Sequence, residues 1–479
     1  MSLQGLGDDV ILKILSLCDV CAVLTISTVN KSFRHLTLTK QLWVHLMHNL
    51  VSRGLLHQRT DAEIDAYSAR DVIDEIKRIV CGPETWAPTS PCAPAAHREF
   101  TFHINVKTDD ICHLRLTPGG THAILQTSED VRLYDARTGR CLWTKISRMS
   151  SIVTDIVDGG EMVRVLLVPS TCSENAEITI QEVNLITGET CEVFNLPMPL
   201  NSSPFDRWWC RDLREKFFIL HLYLCSIPGG NIFILVDWRN NKQVILTYDD
   251  WGSDLKPRLL RDHVLVTYED RTPSSHHVLA LTVFSAFETY WHPLNVDAKT
   301  ILFREAAVFP VPVNPPIPNK HIPTTTVLTL LLNDMPISRS YACSLVAVYE
   351  SPLQHDNYKI MLYLTSHAHP FTPHNRLLLT FSCAPNTISG APLTLQQTSS
   401  THGPQDSYGH EVLSYAGYVI HWLAVPTIVD FRGVRAEART RGGFNVVKAD
   451  PGWEKMHFSS SNSAVLGVAN GSVTVRYYK

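Results

Sequence analysis

The residues best suited to chemistry are two groups of histidines in the second half of the chain. His367, His369 and His374 lie within SHAHPFTPH, and His276 and His277 are adjacent. A zinc site needs a fixed geometry and usually a fourth ligand. Both groups stand among Ser, Thr and Pro residues, which are typical of loops. We therefore expect surface histidines, and we expect neither a metal site nor another cofactor.

The sequence lacks the usual signatures of catalysis. It contains no GxSxG nucleophile turn, no phosphate-binding glycine loop and no HExxH helix. None of the 12 cysteines lies in a motif that marks an activated thiol. Cys18 and Cys21 form one CxxC within an apolar helical pattern, which predicts a buried, reduced pair. The sequence therefore predicts a protein that is not an enzyme.

Composition and charge narrow the functional class further. The 479 residues are enough for two or three domains. Hydrophobic residues make up 44% and charged residues 18%, so the chain is expected to fold rather than remain disordered. The net charge of -4, with no basic stripe, argues against a nucleic-acid partner.

Neither a secretion signal nor a membrane span is predicted. The opening MSLQGLGDDV carries acidic residues where a signal peptide carries basic ones. The most apolar stretch, 217–236, is interrupted by Pro228, Gly229 and Gly230, which predicts two strands and a turn. We expect a cytoplasmic or nuclear protein without a membrane partner.

The first fifty residues predict a bundle of four short helices. The first apolar stripe consists of Val10, Ile11, Ile14, Leu15 and Cys18. Asp19 can cap the second helix. A bundle of this size is marginal by itself, and its apolar stripes are wider than one seam needs. Periodicity alone leaves two alternatives, which are packing on the next domain and docking of a partner's helices.

The run from Leu6 to Met47 resembles the F-box family from end to end. The family's acidic opening, apolar helix, Leu-rich helix, Val-Cys-Lys-x-aromatic segment and closing Leu-Trp fall here on Leu6, Asp8, Asp9, Ile11, Ile14, Leu15, Val23, Leu24, Val29, Lys31, Phe33, Leu42 and Trp43. Gly7 replaces the usual proline, which in the family fixes the entry of the chain and contacts the adaptor. Asn30 stands where cysteine or serine is common.

The resemblance implies that this segment docks on the Skp adaptor, which connects to a cullin and a RING protein. The residues expected to bind the adaptor, or to form the supporting core, are Leu6, Asp8, Ile11, Ile14, Leu15, Leu24, Val29, Phe33, Leu42 and Trp43. The chain would then hold a target protein for ubiquitylation, while other subunits carry out the transfer. Two alternatives stay open: an interaction scaffold outside a ligase, and a hydrolase built on the following domain.

Helical signals continue beyond the bundle and then stop at prolines. Thr60-Asp-Ala-Glu63 and Ser68-Ala-Arg-Asp71 both have the form of a capping box. The second precedes a helical stripe that Gly82 and Pro83 end, and we interpret it as a rigid spacer helix. Recurring prolines then predict a semi-rigid linker that ends near residue 97.

From residue 100 onward, short strands alternate with turn signals. Residues 111–145 contain four strands, and similar units are predicted at 152–196, 217–248, 259–291 and 456–478. Four-stranded units that recur at about 40–45 residues are typical of propeller blades and resemble the WD-repeat class, although its Gly-His and Trp-Asp signatures are missing. Phe100–Val106 is predicted to complete the last blade. The segment 295–410 does not divide clearly, and a sandwich or an open sheet array remains an alternative there.

Two further segments could contact partners. The Pro-rich segment 310–323 could present an extended proline helix, but a long surface loop is the more common interpretation. Arginines also surround a tryptophan pair, a combination that is enriched in binding surfaces and is equally expected in an ordinary loop. This basic-aromatic cluster consists of Arg207, Trp208, Trp209, Arg211 and Arg214.

Together these patterns predict an α plus all-β multidomain fold. The predicted order is a small helical F-box bundle at 1–50, a helical linker at 51–82, a Pro-rich linker at 83–97, and a WD-repeat-like β-propeller of about seven blades at 98–479.

Overall fold

A computed structural model gives the positions of most helices and strands. It describes residues 6–56, 59, 61–84, 96–117, 119–146, 149–157, 160–169, 176–198, 207–224, 230–247, 255–270, 276–294, 307–308, 326–330, 341–366, 376–386, 391–403, 412–413, 415–416, 418–421, 427–430, 446–448, 455–458 and 464–478. The Pro-rich segment 310–323 and the histidine cluster at 367–374 lie outside the described residues. So do most of the Pro-rich linker and Thr60.

The N-terminal part is helical. Within the described residues the helices are α1 (Asp8–Ser16), α2 (Val20–Ser27), α3 (Lys31–Thr37), α4 (Lys40–Ser52), α5 (Asp61–Ala66) and α6 (Ala69–Cys81). None of them is both long and apolar enough to cross a bilayer.

Side-chain caps set the starts of three of these helices. Asp19 Oδ1 accepts a hydrogen bond of 2.7 Å from the Ala22 amide, and Asn30 Oδ1 accepts one of 2.8 Å from the Phe33 amide. Ser68 and Asp71 form a reciprocal capping box. The caps predicted at Asp19 and Ser68 are confirmed, and Asn30 supplies a third that the sequence analysis did not identify.

One hydrophobic core joins all of these helices. It contains Ile11, Leu15, Leu42, Trp43, Leu46 and Leu50 together with Val72, Ile76 and Ile79 of α6. Because α6 buries its apolar face against α4, it extends the bundle and does not stand apart as a spacer. The larger shared core stabilises a bundle that the first four helices alone would leave marginal. The name helical bundle is used below for α1–α6.

The rest of the described chain consists mainly of strands. In chain order these are β1 (Ala96–His103), β2 (Ile111–Leu116), β3 (His122–Thr127), β4 (Asp130–Asp135), β5 (Cys141–Ile146), β6 (Met149–Ile156), β7 (Met162–Pro169), β8 (Glu177–Asn184), β9 (Thr190–Pro197), β10 (Arg207–Arg214), β11 (Phe217–Leu224), β12 (Gly230–Asp237), β13 (Lys242–Thr247), β14 (Lys256–Leu259), β15 (His263–Asp270), β16 (His276–Val283), β17 (His292–Pro293), β18 (Ala307–Val308), β19 (Thr326–Leu330), β20 (Tyr341–Glu350), β21 (Tyr358–Ser366), β22 (Arg376–Asn386), β23 (Ala391–Gly403), β24 (Val412–Leu413), β25 (Tyr418–His421), β26 (Thr427–Asp430), β27 (Val446–Lys448), β28 (Lys455–Phe458), β29 (Ala464–Ala469) and β30 (Ser472–Tyr478).

The described strands form seven sheets, each built on four antiparallel strands. The sheets, numbered in chain order, are β2–β5, β6–β9, β10–β13, β14–β16 with β19, β20–β23, β24–β27, and β28–β30 with β1. The third sheet is extended by two short strands that both pair with β13, β17 antiparallel and β18 parallel. Hydrophobic cores lie between the seventh and first sheets, and between each successive pair from the first to the fifth. The sheets therefore stack side by side in chain order, as the sequence predicts for units that cannot cover their own faces.

The first strand of this region belongs to its last sheet. β1 pairs antiparallel with β30 along its whole length, with Phe100 opposite Val475 and Phe102 opposite Val473. The prediction that a lone strand near residue 100 completes the last unit is confirmed.

Two strand units differ from their predicted limits. The third sheet begins at β10, before the predicted start at Phe217. In the fourth sheet the outer strand is β19, and residues 284–290 instead form a 3-10 helix. Phe287 of this helix is fully buried, and Phe284 stacks on Phe217 with ring centroids 4.0 Å apart. Aromatic burial against the neighbouring sheet, which the local pattern does not reveal, therefore explains the inserted helix.

A recurring turn shapes the first two sheets. Asp135 Oδ1 accepts a hydrogen bond of 2.8 Å from the Arg137 amide, and the Gly139 amide donates to the Asp135 carbonyl at 2.8 Å. Gly139 has a φ of 71°, which favours glycine. Asn184 and Gly188 repeat this construction in the second sheet, as the matching Thr-Gly pairs predict.

We predict that Gly139→Ala destabilises the strand region by more than about 1 kcal/mol. The added methyl would collide with Phe102 of the closing strand β1, and the positive φ adds strain. The measurement is the free energy of unfolding in urea. Gly7→Ala is the control, because no atom lies within 4 Å of its added methyl. Equal losses in the two variants would contradict the prediction.

Candidate functional site: the exposed face of the helical bundle

Helix α1 carries apolar side chains on two sides. Ile11 and Leu15 are 6% and 1% exposed and face the core of the bundle. Val10, Ile14 and Leu17 are 49%, 41% and 76% exposed. Their spacing of four and three residues places them on one side of the helix. The wide stripe seen in the sequence therefore contains one face for the bundle's own core and a second face that this chain leaves uncovered.

Exposed apolar side chains are concentrated in this part of the molecule. Of the ten large apolar side chains that are exposed among the described residues, seven lie between residues 6 and 38. These seven, called the apolar face below, are Leu6, Val10, Ile14, Leu17, Leu24, Val29 and Leu38. Large apolar side chains that are left exposed in one short segment are candidates for an interaction surface.

The structure divides the predicted adaptor-binding residues between surface and core. On the surface lie Leu6, Asp8, Ile14, Leu24 and Val29. Phe33 is half-buried, while Ile11, Leu15, Leu42 and Trp43 are buried in the bundle core. The Trp43 indole Nε1 donates a hydrogen bond of 2.5 Å to the Thr37 carbonyl. In this fold the four buried side chains support the surface and do not contribute to it.

Three residues of the apolar face were not among the predicted binding residues. Val10 lies on the predicted stripe, and Leu17 continues it three residues after Ile14, so their periodicity could have identified both. For Leu38, which follows α3, the sequence offers no comparable signal.

Gly7 lies where the chain enters α1. Its carbonyl accepts hydrogen bonds of 3.0 and 3.1 Å from the amides of Val10 and Ile11. Its φ of −66° and ψ of 151° are values that proline also adopts. The backbone therefore has the conformation of a proline site although the residue is glycine. There is also room for a side chain, because no atom lies within 4 Å of an added Cβ.

Comparison with protein-family models matches residues 3–45 to the F-box domain. Residues 3–45 are an F-box domain. The match contains α1, α2, α3 and the beginning of α4, and it includes the whole apolar face. The resemblance inferred from the sequence is thereby confirmed for this segment. A search among curated protein sequences finds no match to the chain.

Comparison with solved structures finds WD40 domains and other proteins. The WD40 domain of SCAP from fission yeast has 9% identity and a TM-score of 0.38, covering 77% of this chain and 85% of that one. The WD40 domain of coronin from Toxoplasma gondii has 8% identity and a TM-score of 0.36, covering 80% and 86%. BamB from Moraxella catarrhalis has 11% identity and a TM-score of 0.29, covering 76% and 83%. Similarity this distant assigns no family to the strand region, whose four-stranded antiparallel sheets are shown by the strand pairing of this chain itself.

A shared carboxylate connects the helical bundle to the strand region. Glu350, at the end of β20, accepts hydrogen bonds from Arg53 Nε at 2.9 Å and from Arg214 Nη2 at 2.7 Å. The three side chains are only 9% to 23% exposed. The Glu350 carboxylate is poorly solvated and holds both guanidinium groups in place. Loss of either contact would be costly, because it would leave a poorly hydrated charge without its partner.

Further contacts reinforce this junction. The Cys21 amide donates a 2.9 Å hydrogen bond to the Leu353 carbonyl, and the Leu353 side chain packs against the bundle core. His355 and Asn49 are joined at 3.2 Å. Gly160 lies so close to Val51 that an added methyl would meet the Val51 carbonyl oxygen at 3.0 Å. Polar and apolar contacts therefore both hold the helical bundle on the strand region.

These contacts all come from one side of the sheets. Leu353 follows the first strand of the fifth sheet, and Gly160 follows the first strand of the second. In an antiparallel sheet, the turns after the first and third strands lie at the same end. The helical bundle therefore covers this face of the strand region, and the turns after the second strands lie on the opposite face.

The structure separates the predicted basic-aromatic cluster. Trp208 is 2% exposed and packs between the second and third sheets, and Arg214 lies at the junction with Glu350. Arg211 is exposed, donates a hydrogen bond of 3.1 Å from Nε to His221 Nδ1, and lies 5.9 Å from the Trp209 ring. The five residues therefore do not form one surface.

The part of the chain that the structure describes shows no arrangement of ligands for a metal. No group of three or more His, Cys, Asp or Glu residues there could hold a metal ion. Cys18 and Cys21 are free thiols and are half-buried, so they are less buried than predicted.

We predict that Glu350→Ala loosens the helical bundle from the strand region at a cost on the order of 3 kcal/mol. The variant removes the carboxylate that Arg53 and Arg214 share. The measurement is hydrogen exchange of the amides in 49–56 and 350–357, together with the melting temperature. Glu99→Ala is the matched control, because Glu99 pairs with Arg476 on the surface and is 46% exposed. Similar exchange in both variants would show that Glu350 does not hold the junction.

Proposed function

We propose that this protein is the target-binding subunit of a Skp–cullin–F-box ubiquitin ligase. The observation that supports this most directly is the concentration of exposed apolar side chains on the segment that matches the F-box domain. A small helical bundle that keeps seven large apolar side chains in water needs a partner to cover them. In this proposal the partner is the Skp adaptor, and through it the chain associates with cullin and RING subunits.

The strand region would bind the target. We infer that its seven described sheets make a ring of seven blades, because β1 completes the last sheet and a shared core joins that sheet to the first. Since the helical bundle covers one face of this ring, the opposite face is the surface available for a target protein. We also propose domain limits of 1–50 for the F-box and 98–479 for the propeller, joined by helical and Pro-rich linkers.

The role proposed for the chain is tethering. An F-box held firmly on the strand region places a bound target at a defined distance from the ubiquitin-loaded enzyme and raises the effective concentration of target lysines. The proposal needs no catalytic group in this chain, in keeping with domains that typically serve interactions. The proposed compartment is the cytoplasm or nucleus.

The main alternative is an interaction scaffold that does not direct ubiquitylation. Gly7 favours this alternative, because the proline usual at this position contacts the adaptor. Recovery of the Skp adaptor without cullin from cells that express the full chain would support the scaffold over the ligase subunit.

We predict that Leu24→Gln combined with Val29→Gln weakens binding to purified Skp adaptor by about thirtyfold or more. Each side chain is exposed, at 43% and 64%, so the change removes contact area and spares the core. Loss of two buried contacts of about 1 kcal/mol each gives a change of this size. Isothermal titration with the full chain measures it.

The matched control for this test is Ile146→Gln combined with Ile186→Gln. These two side chains are also apolar and exposed, at 84% and 56%, but lie in the strand region. Affinity should stay unchanged in the control. Loss of affinity in both double variants, or in neither, would refute the assignment of the apolar face as the adaptor site.

We predict that Gly7→Pro raises both stability and adaptor affinity. Proline fits the observed φ and restricts the unfolded chain, which should stabilise the bundle by about 0.4–1 kcal/mol. It also prepares the entry to α1 for docking, so the dissociation constant should fall. Melting temperature and titration are the two readouts. Gly7→Ala serves as control, and a lower melting temperature for Gly7→Pro would contradict the prediction.

A further inference from the structure

A cavity of about 600 Å³ lies where the helical bundle meets the strand region. Five sheets contribute their first strands to its wall, namely β2, β6, β10, β14 and β20. Residues 52–55, which begin with the last residue of α4, complete the wall. A volume of this size matches that of small-molecule sites. The cavity takes no part in the proposed docking of the Skp adaptor, because the apolar face does not line it.

The carboxylates in the wall have partners within the protein. Glu350 is held by Arg53 and Arg214. Asp212 Oδ2 accepts a hydrogen bond of 2.8 Å from the Leu259 amide, and Asp155 Oδ2 accepts one of 2.8 Å from the Glu215 amide. Burial raises the pKa of Asp155 to about 6 and also raises the pKa of Asp212, because removal from water disfavours the charged carboxylate.

Two arginines in the same wall have no carboxylate partner. Arg115 donates from Nη1 to the Ile152 carbonyl at 3.1 Å. Arg258 donates from Nε to the Val346 carbonyl at 3.0 Å and from Nη1 to the Arg211 carbonyl at 3.1 Å. Among the described residues, neither guanidinium lies within 4.0 Å of a carboxylate oxygen. The hydrogen bonds of both guanidinium groups therefore go to neutral carbonyl oxygens, and only the charge of Arg258 is partly balanced at longer range, by Asp212.

The two charges also affect each other. Burial lowers the pKa of Arg115, and the positive charge of Arg258 lowers it further. Arg115 is exposed and Arg258 is half-buried, so both guanidinium groups can be reached from the cavity, and their like charges repel each other. An anion placed between them would remove this repulsion and could accept hydrogen bonds from both planar guanidinium groups.

We propose that this cavity binds a small phosphate-bearing anion between Arg115 and Arg258. A dianion balances two guanidinium charges, and its oxygens suit their forked donors better than a single carboxylate would. Because Arg53 and the end of α4 line the same cavity, the bound anion would also stabilise the helical bundle on the strand region.

The test is titration of the full chain with inorganic phosphate and, separately, with glycerol 3-phosphate, at constant ionic strength against chloride. We expect saturable heat of binding and a melting temperature that rises with either ligand. Binding of the ester alone would identify a phosphate monoester as the source, and binding of both would identify the phosphate group itself. Absence of binding by both would overturn the proposal.

Variants assign the binding to the two arginines. Arg115→Gln combined with Arg258→Gln should weaken phosphate binding by about tenfold or more. Arg70→Gln removes a side chain that is 90% exposed and should change nothing. Equal affinity in the double variant and the wild type would overturn the proposal.

Two further outcomes are informative. If the double variant does not fold, Arg258→Lys keeps the charge but removes the fork, and it should still weaken binding. Skp-adaptor binding in these variants should remain at the wild-type level, so failure of the anion site is distinct from failure of the proposed function.

A phosphopeptide that binds through these arginines while both small ligands do not would contradict the small-anion site and indicate a target surface.

Discussion

The antiparallel pairing of β1 with β30 holds together the two ends of the strand region. Through this pairing, the first described strand after the helical bundle completes a sheet with β28, β29 and β30, the last of the described strands. The seventh sheet can then share a core with the first, and Phe102 and Ile104 pack with Leu466 and Val475. The cavity and the junction with the helical bundle both depend on sheets that stay side by side in chain order. So does the face of the strand region that the helical bundle covers.

Local chemistry was the part of the fold that the sequence could predict. A cap depends on one side chain and an amide three residues away, so Asp19 and Ser68 could be identified directly. The Thr-Gly turns and the closing strand followed from strand-length patterns and turn residues in the same way. Asn30 is also a side chain that can cap an amide three residues later. The sequence analysis noted it only because the F-box family usually has cysteine or serine at this position.

Features that depend on long-range packing could not be predicted from the sequence. On α1, Ile11 and Ile14 are chemically alike and three residues apart, and only the position of α3 and α4 makes one buried and the other exposed. The inserted 3-10 helix depends on an aromatic contact across sheets, and the two cavity arginines lie 143 positions apart in the numbering of the chain. Periodicity carries no information about such contacts, because it describes each element by itself.

The position of the β1–β30 ladder also determines how the molecule would yield to mechanical pulling. Ala96, where the chain enters β1, pairs with Tyr478 near the last residue of the chain. Tension applied between Ala96 and Tyr478 would load the pairs of this ladder one after another, beginning with that terminal pair. The β1–β30 ladder would therefore separate pair by pair at low force. Shearing a whole strand would require many hydrogen bonds to break together. Dismantling of the strand region would begin at the point where its first and last segments meet.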